Sequence, residues 1–342
     1  MLDAPHITSS TCPHGSETHH MDEIIAVDVG GTNARFARTT FDSDGTPICG
    51  TVRKYKVAEH EGLASCWQAF AREENAPLPP RASIGLATAI QPDIIDLTNS
   101  DWVIYPQKLA EELGVDRLEL VNDFEAVGHA ITRLPRSNME LLFGPDRPFP
   151  DNGAVTVLGP GTGLGVCMIA YNNGTPHIIA TEGGHIDFAP LDETEVQLRA
   201  HFLRTRTRMS TERIVSGPGL NTIYQGLVAI AGADAPPLSD ADLWDAALNA
   251  RTPLAHEALE RLCLAYGAVA GDLALAHGPS AVVLAGGLTQ RMKSHLLTSG
   301  FHDRFTTKGR FSNLMEQTPV RLAMHDEIGL FGAAAAYAAK HL

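Results

Sequence analysis

The sequence predicts an α/β protein built as two lobes with a ligand cleft between them. Three observations carry that reading. At 342 residues the chain is well beyond the ~100–200 residues of a typical domain, so a single compact core is not expected. A unit of buried strand, glycine turn and returning strand occurs twice, over 24–41 and again over 154–171. This is a repeat of architecture, although the residues themselves do not repeat. Short apolar runs also alternate with stretches of helical period, as in layered α/β folds.

The first strand is read at 24–29, where an apolar run carries one acid, Asp28, and Gly30-Gly31 turns the chain. The returning strand covers 34–41. After the turn residues Asp42-Ser43-Asp44-Gly45 a third strand covers 51–57. Leu63, Trp67 and Phe70 share one face of a helix over 62–74, which Pro77, Pro79 and Pro80 bring to an end. A strand over 82–87, a helix over 109–113, a strand over 118–121 and a helix over 124–134 follow. Residues 135–150, rich in Pro, Gly and polar side chains, read as a connector between lobes.

The second unit places a strand at 154–158, a glycine turn at 159–165 and a returning strand at 166–171. Residues 191–276 are mostly helical, with an Ala/Pro-rich loop at 231–237. A late strand over 281–285 leads into Gly286-Gly287, and an Ala-rich helix covers 332–342. Residues 1–21 are polar and without periodicity, and are expected to form a disordered leader.

Composition narrows the function. Lys and Arg total 26 against 40 Asp and Glu, a net charge of −14 that repels phosphate backbones and argues against nucleic-acid binding. Five scattered cysteines without a CxxC pair point to a reducing cytoplasm and to no structural zinc. No apolar stretch reaches the ~18 residues of a membrane span.

Several motifs carry chemistry, and each also has a structural reading. Asp28-Val29-Gly30-Gly31-Thr32-Asn33 ends a strand with a carboxylate and two glycines, which suits a phosphate nest with hydrated Mg²⁺ on the acid, or an ordinary tight turn. Gly159 to Gly165 has glycine at every second position but runs on into a strand, so it is not a dinucleotide fingerprint. Two such hairpins in one chain favour phosphate binding. Asn122-Asp123 stands where a strand gives way to a helix, at the edge where α/β folds bind ligands, and by itself Asp123 reads as a helix N-cap. Glu182-Gly183-Gly184-His185 presents a carboxylate and an imidazole on one loop. Glu212, within Ser210-Thr211-Glu212, reads by default as an acid at a helix start, and Ala285-Gly286-Gly287 as close packing or a seat for a flat ring.

The order of these motifs along the chain resembles that of the bacterial ATP-dependent glucokinases of the hexokinase/actin-like ATPase superfamily, from about Glu23 to the C-terminus. Glu182-Gly183-Gly184-His185-Ile186-Asp187-Phe188-Ala189-Pro190 is its most specific part. The resemblance implies a two-lobed actin-like ATPase (ribonuclease H-like) fold with an interlobe cleft. Residues 22–133 plus 325–342 would form the small lobe and 134–324 the large one. It implies ATP at Val27, Asp28, Val29, Gly30, Gly31, Thr32, Gly161, Thr162 and Gly163, with Gly286 and Gly287 facing the adenosine. Asn122, Asp123, Glu182, His185 and Glu212 would hold the sugar, with Asp123 as catalytic base, and Asp28 would hold Mg²⁺ through water. D-glucose is the implied acceptor, other hexoses such as mannose, fructose or N-acetylhexosamine are the alternatives, and the implied state is a cytoplasmic homodimer. Val27 stands where relatives often have glycine. The Cys-rich zinc motif of the related repressor/kinase family is missing. A sugar-responsive regulator would need a helix-turn-helix module ahead of the first strand, where the sequence shows no such pattern.

Overall fold

The structure, a computed structural model, describes residues 23–97, 100–235 and 238–342. The leader expected at 1–21 and part of the loop at 231–237 lie outside them. The first part of the chain contains β1 (Ile24–Val29), β2 (Asn33–Phe41), β3 (Pro47–Cys49), β4 (Arg53–Lys56), α1 (Leu63–Glu73), β5 (Arg81–Leu86), β6 (Ile95–Asp96), β7 (Val103–Ile104), α2 (Pro106–Leu113), β8 (Arg117–Asn122) and α3 (Asp123–Arg133). Then come β9 (Met139–Phe143), β10 (Gly153–Pro160), β11 (Leu164–Asn172), β12 (Thr175–Thr181), α4 (Glu193–Phe202), α5 (Gly217–Ala231), α6 (Asp240–Leu248), α7 (Pro253–His277) and β13 (Pro279–Leu284). The chain continues through α8 (Gly287–Leu296), α9 (Phe301–Thr306), α10 (Ser312–Glu316), β14 (Val320–Ala323) and α11 (Ile328–His341).

The repeat read from the two glycine turns is a repeat of topology. The first sheet has the order β3-β2-β1-β5-β8 and the second β12-β11-β10-β13-β14, extended by β9. In each, an antiparallel hairpin is followed by two parallel strands. The third strand expected at 51–57 is shorter, Arg53–Lys56, because the chain first pairs Pro47–Cys49 with β2.

The two-residue period of a strand sorts the layers. Ile25, Val27 and Val29 of β1 join the core beneath α1 and α2, with Trp67, Phe70 and Leu109. Ile24 and Ala26 point the other way, onto Leu330, Ala334 and Tyr337 of α11. Asp28 therefore leaves the strand on the α11 side. On the second sheet, Val155 and Val157 meet Val127, Ala130 and Ile131 of α3 and Phe331 of α11, while Leu158 joins the helical core with Leu259 and Tyr266 of α7. Helices α3 and α11 thus lie between the two sheets, with α1 and α2 outside one and α4 to α7 outside the other.

The segment 135–150 is more than a connector. Met139–Phe143 pairs antiparallel with β14 as an edge of the second sheet, and the buried Arg321 guanidinium donates to the Met139 carbonyl at 3.2 Å. Among the described residues no helix is long and apolar enough to cross a membrane.

Candidate active site

Strand β8 hands the chain to α3 at Asn122-Asp123, and this junction is the centre of the site. The N-cap is Asn122, not Asp123: its side-chain carbonyl accepts from Phe124 N–H at 2.9 Å and from Glu125 N–H at 3.2 Å. Its amide donates to Thr88 O at 3.1 Å, and the same side chain hydrogen-bonds the Asp123 carboxylate. Asp123 becomes the first helical residue, and one carboxylate oxygen accepts from Phe124 N–H at 2.8 Å. Its pKa is pushed up to about 7, chiefly by burial and then by the charges of Asp28 and Glu182, against the Phe124 N–H and the Asn122 side chain, which lower it. A carboxylate poised near neutrality has the proton affinity that a general base requires.

Asp28, on the α11 side of β1, pairs with Arg35 Nη1 at 3.0 Å, and Arg35 Nε reaches Glu327 at 2.8 Å. Burial raises the Asp28 pKa, and Arg35 opposes that rise. The close neighbour of this carboxylate is Gly329 of α11, where a Cβ would stand 2.9 Å from Oδ1. Val27 and Val29, expected to touch nucleotide, are fully buried and face the α1/α2 core, so their side chains cannot reach a ligand. They carry Asp28 and the turn. In that turn Gly30 N–H donates to Asn33 O at 3.0 Å, and Thr32 O accepts from Val57 N–H at 3.0 Å.

The alternating glycines of the second hairpin have separate reasons. A Cβ at Gly159 would stand 2.2 Å from Ala285 O, at Gly163 2.4 Å from Glu212 Oε2, and at Gly165 1.8 Å from the Phe124 ring. A Cβ at Gly161 would meet nothing within 4 Å, so that side of the turn is open space. The turn is held by Gly161 N–H to Gly163 O at 2.8 Å and Gly217 N–H to Gly161 O at 2.7 Å, with Thr162 exposed. Beyond Ala285, Gly286 has φ +88, which favours glycine, and Gly287 opens α8.

Glu182-Gly183-Gly184-His185 forms a 3₁₀ turn, not a metal-binding helix face. His185 Nε2 lies 3.7 Å from Glu182 Oε2 and 3.8 Å from Glu212 Oε2. Glu212 is not a helix cap: its Oε2 accepts from Leu164 N–H at 3.2 Å, tying this group to the second hairpin. A cavity of 300 Å³ opens between Ala89, Ile90 and Asn122 on one side and Thr181 and Glu182 on the other. Sequence reasoning gave no role to Arg35, Glu327, Gly329 or Phe124. Arg35 stands within the first motif, and Gly329 and Gly332 are the only breaks in an otherwise bulky or Ala-rich helix, which were the available signals.

Two sheets of ribonuclease H-like topology, two glycine hairpins and a near-neutral carboxylate define a two-lobed sugar kinase of the actin-like ATPase class. The Glucokinase family model matches residues 25–340. The chain belongs to the glucokinase family. It is 45% identical over 319 residues to a glucokinase of Zymomonas mobilis, covering 93% of this chain and 98% of that protein. A solved glucokinase from an Antarctic psychrotroph matches with a TM-score of 0.80 at 30% identity, covering 93% of this chain and 99% of the other. The glucokinase of Balamuthia mandrillaris, solved in complex with glucose, shares the fold with a TM-score of 0.76 at 18% identity, covering 95% of each chain.

Proposed function

We propose that this chain transfers the γ-phosphate of ATP to the 6-hydroxyl of D-glucose, giving glucose 6-phosphate and ADP. The observation that carries the reading is Asp123, a carboxylate with its pKa near 7 that feels Asp28 from the first sheet and Glu182 from the second. In this mechanism the Asp123 carboxylate accepts the 6-hydroxyl proton as the new O–P bond forms and the bond to the ADP oxygen breaks. Gly30 and Gly161 donate their own N–H groups within the two turns, which leaves the Gly31, Thr32, Thr162 and Gly163 N–H groups to hold the phosphates, and Gly286-Gly287 lies against the adenosine.

Asn122, Glu182, His185 and Glu212 take the remaining sugar hydroxyls, and a wrong epimer leaves one of them unpaired. Among the described residues no group of three or more His, Cys, Asp or Glu side chains is placed to hold a metal, so Mg²⁺ would arrive with ATP and Asp28, one of whose oxygens Arg35 already takes, would hold it through water. Mg²⁺, when bound with ATP, neutralises the phosphate charge. Residues 22–133 with 325–342 form the small lobe and 134–324 the large one, closing on the sugar to exclude water. The protein works as a cytoplasmic homodimer.

A coupled assay over a panel of hexoses and N-acetylhexosamines tests this reading. ADP release should require both hexose and Mg²⁺ (or Mn²⁺), be greatest with glucose, and not respond to added zinc. ADP release at the same rate without sugar would refute it.

Glu212 allows a sharper test. Glu212→Gln keeps an oxygen for Leu164 N–H but loses the charge, so KM for glucose should rise about 10- to 100-fold, the loss of one charge-assisted hydrogen bond. Glu212→Ala also frees the hairpin and should raise KM for ATP. If both variants keep wild-type KM values, Glu212 touches neither substrate.

A further inference from the structure

We infer that the cavity at the C-terminal end of α3 is a regulatory site for a compact planar carboxylate. It has a volume of 230 Å³ and does not overlap the site described above. Compared with the ~300–1,000 Å³ of drug-sized pockets, that suits an occupant of about ten non-hydrogen atoms. Its apolar wall is built from Ile131 and Leu134, at and just beyond the end of α3, with Phe149 and Tyr171, whose rings are 6.2 Å apart and tilted by 38°. A flat ligand can lie against these rings.

The polar side of the cavity is cationic in a chain of net charge −14. Arg136, Arg147 and Arg321 all line it. Asp146 serves both Arg136 and Arg321, whereas Arg147 donates only to the Gln317 carbonyl and has no carboxylate partner among the described residues. Burial pushes the Tyr171 hydroxyl up to about 12, so it stays a proton donor, and it has no hydrogen-bond partner among the described residues. A guanidinium without a counter-ion, a phenol donor and two aromatic rings match a planar carboxylate better than a bare phosphate, which offers nothing to the rings.

The position gives the site its consequence. Helix α3 is one rigid element of 11 residues, about 16 Å long, with Asp123 at one end and Ile131 near the other. The cavity is completed by residues 147–149, on the segment that leads from α3 and β9 to β10. An occupant therefore touches both the element that carries the proposed base and the passage between the two sheets.

The test uses the full chain and benzoate or phenylacetate as probes, with benzyl alcohol (no charge) and inorganic phosphate (no apolar body) as comparisons. Calorimetry should give a Kd of about 0.1–5 mM for the aromatic carboxylates, the range for ligands of this size. Binding of the two comparison compounds should be at least tenfold weaker. Arg147→Gln, a change at an exposed rim position, should keep the wild-type melting temperature and weaken the carboxylates at least fivefold, and Tyr171→Phe should also weaken them. Saturating carboxylate should change KM for glucose or kcat at least twofold in the wild type and not in Arg147→Gln. Lack of binding up to 20-fold above that Kd range, binding that ignores Arg147→Gln, or saturation without a kinetic change would overturn the proposal. The kinetic arm rests on the kinase reading, and glucose-dependent ADP release without added carboxylate shows separately whether that reading holds.

Discussion

Replacing Asp123 with Asn should lower kcat on glucose by about 10²–10⁴-fold, the usual contribution of a general base, while ATP binding changes little. The substitution is clean because the fold hardly needs the charge. Asn122, not Asp123, caps α3, and an Asn side-chain oxygen can still accept from Phe124 N–H. Burial and the nearby Asp28 and Glu182 charges disfavour the ionised form, so removing it should leave stability at neutral pH unchanged or higher.

The sign of the pH dependence follows. The folded state holds the Asp123 proton up to about 7, whereas the unfolded chain releases it near 3.8. Between those values the folded state binds more protons, so this group's contribution to stability falls as pH rises through the window. That fall should be missing in Asp123→Asn. Activity runs the other way, because the base must be ionised: kcat/KM should drop about tenfold per pH unit below about 7. Folded Asp123→Asn that keeps more than a tenth of wild-type kcat would remove Asp123 from the chemistry.

The readable parts of the fold are those fixed by neighbours in sequence. The apolar run of β1, the two glycine turns and the single apolar face of α1 depend on periods of two and 3.6 residues, and the strands and helices stand where those periods place them. Strand β9 was hidden because Met139–Phe143 lies among prolines and glycines and becomes a strand only by pairing with distant β14. The cap of α3 was misplaced by one residue because Asn and Asp cap equally well, and only the register of β8 beside β5 decides which of them leaves the strand first.

The site shows the same division. Asp28, Asp123, Glu182 and His185 each had a structural reading by themselves, and they entered the candidate site through the order of their motifs and the resemblance it carries. Arg35 to Glu327, Gly329 against Asp28 and Glu212 against Leu164 join residues far apart in the chain, and local pattern has no term for them. The period of the strand sends the Val27 and Val29 side chains into the core beneath α1, so any contact these residues make with a nucleotide is through backbone.

Adding one methyl group at Gly332 should destabilise the protein by about 1–3 kcal/mol or more, as overpacking at a rigid contact does. An ideal Cβ there lies 2.0 Å from the Ala126 carbonyl oxygen and 2.4 Å from its carbon, both backbone atoms of α3 that cannot rotate away. Helix α11 must therefore move off α3 or shift along it. Either movement strains the buried hydrogen bond from the Ser83 hydroxyl to Ala333 O and the packing of Leu330 and Tyr337 on β1. The gain of about 1 kcal/mol from replacing glycine within a helix offsets only part of this. At about 1.4 °C per kcal/mol for a chain of 342 residues, the melting temperature should fall by about 1–4 °C. Activity should fall with it, because Ala126 stands one helical turn from Asp123. Gly329→Ala separates packing from chemistry: its Cβ would meet the Asp28 carboxylate, a side chain able to turn aside, at 2.9 Å. That variant should melt close to wild type yet lose activity as Asp28 leaves Arg35. If Gly332→Ala melts at the wild-type temperature, the close contact between α11 and α3 is not what holds the two sheets around the site.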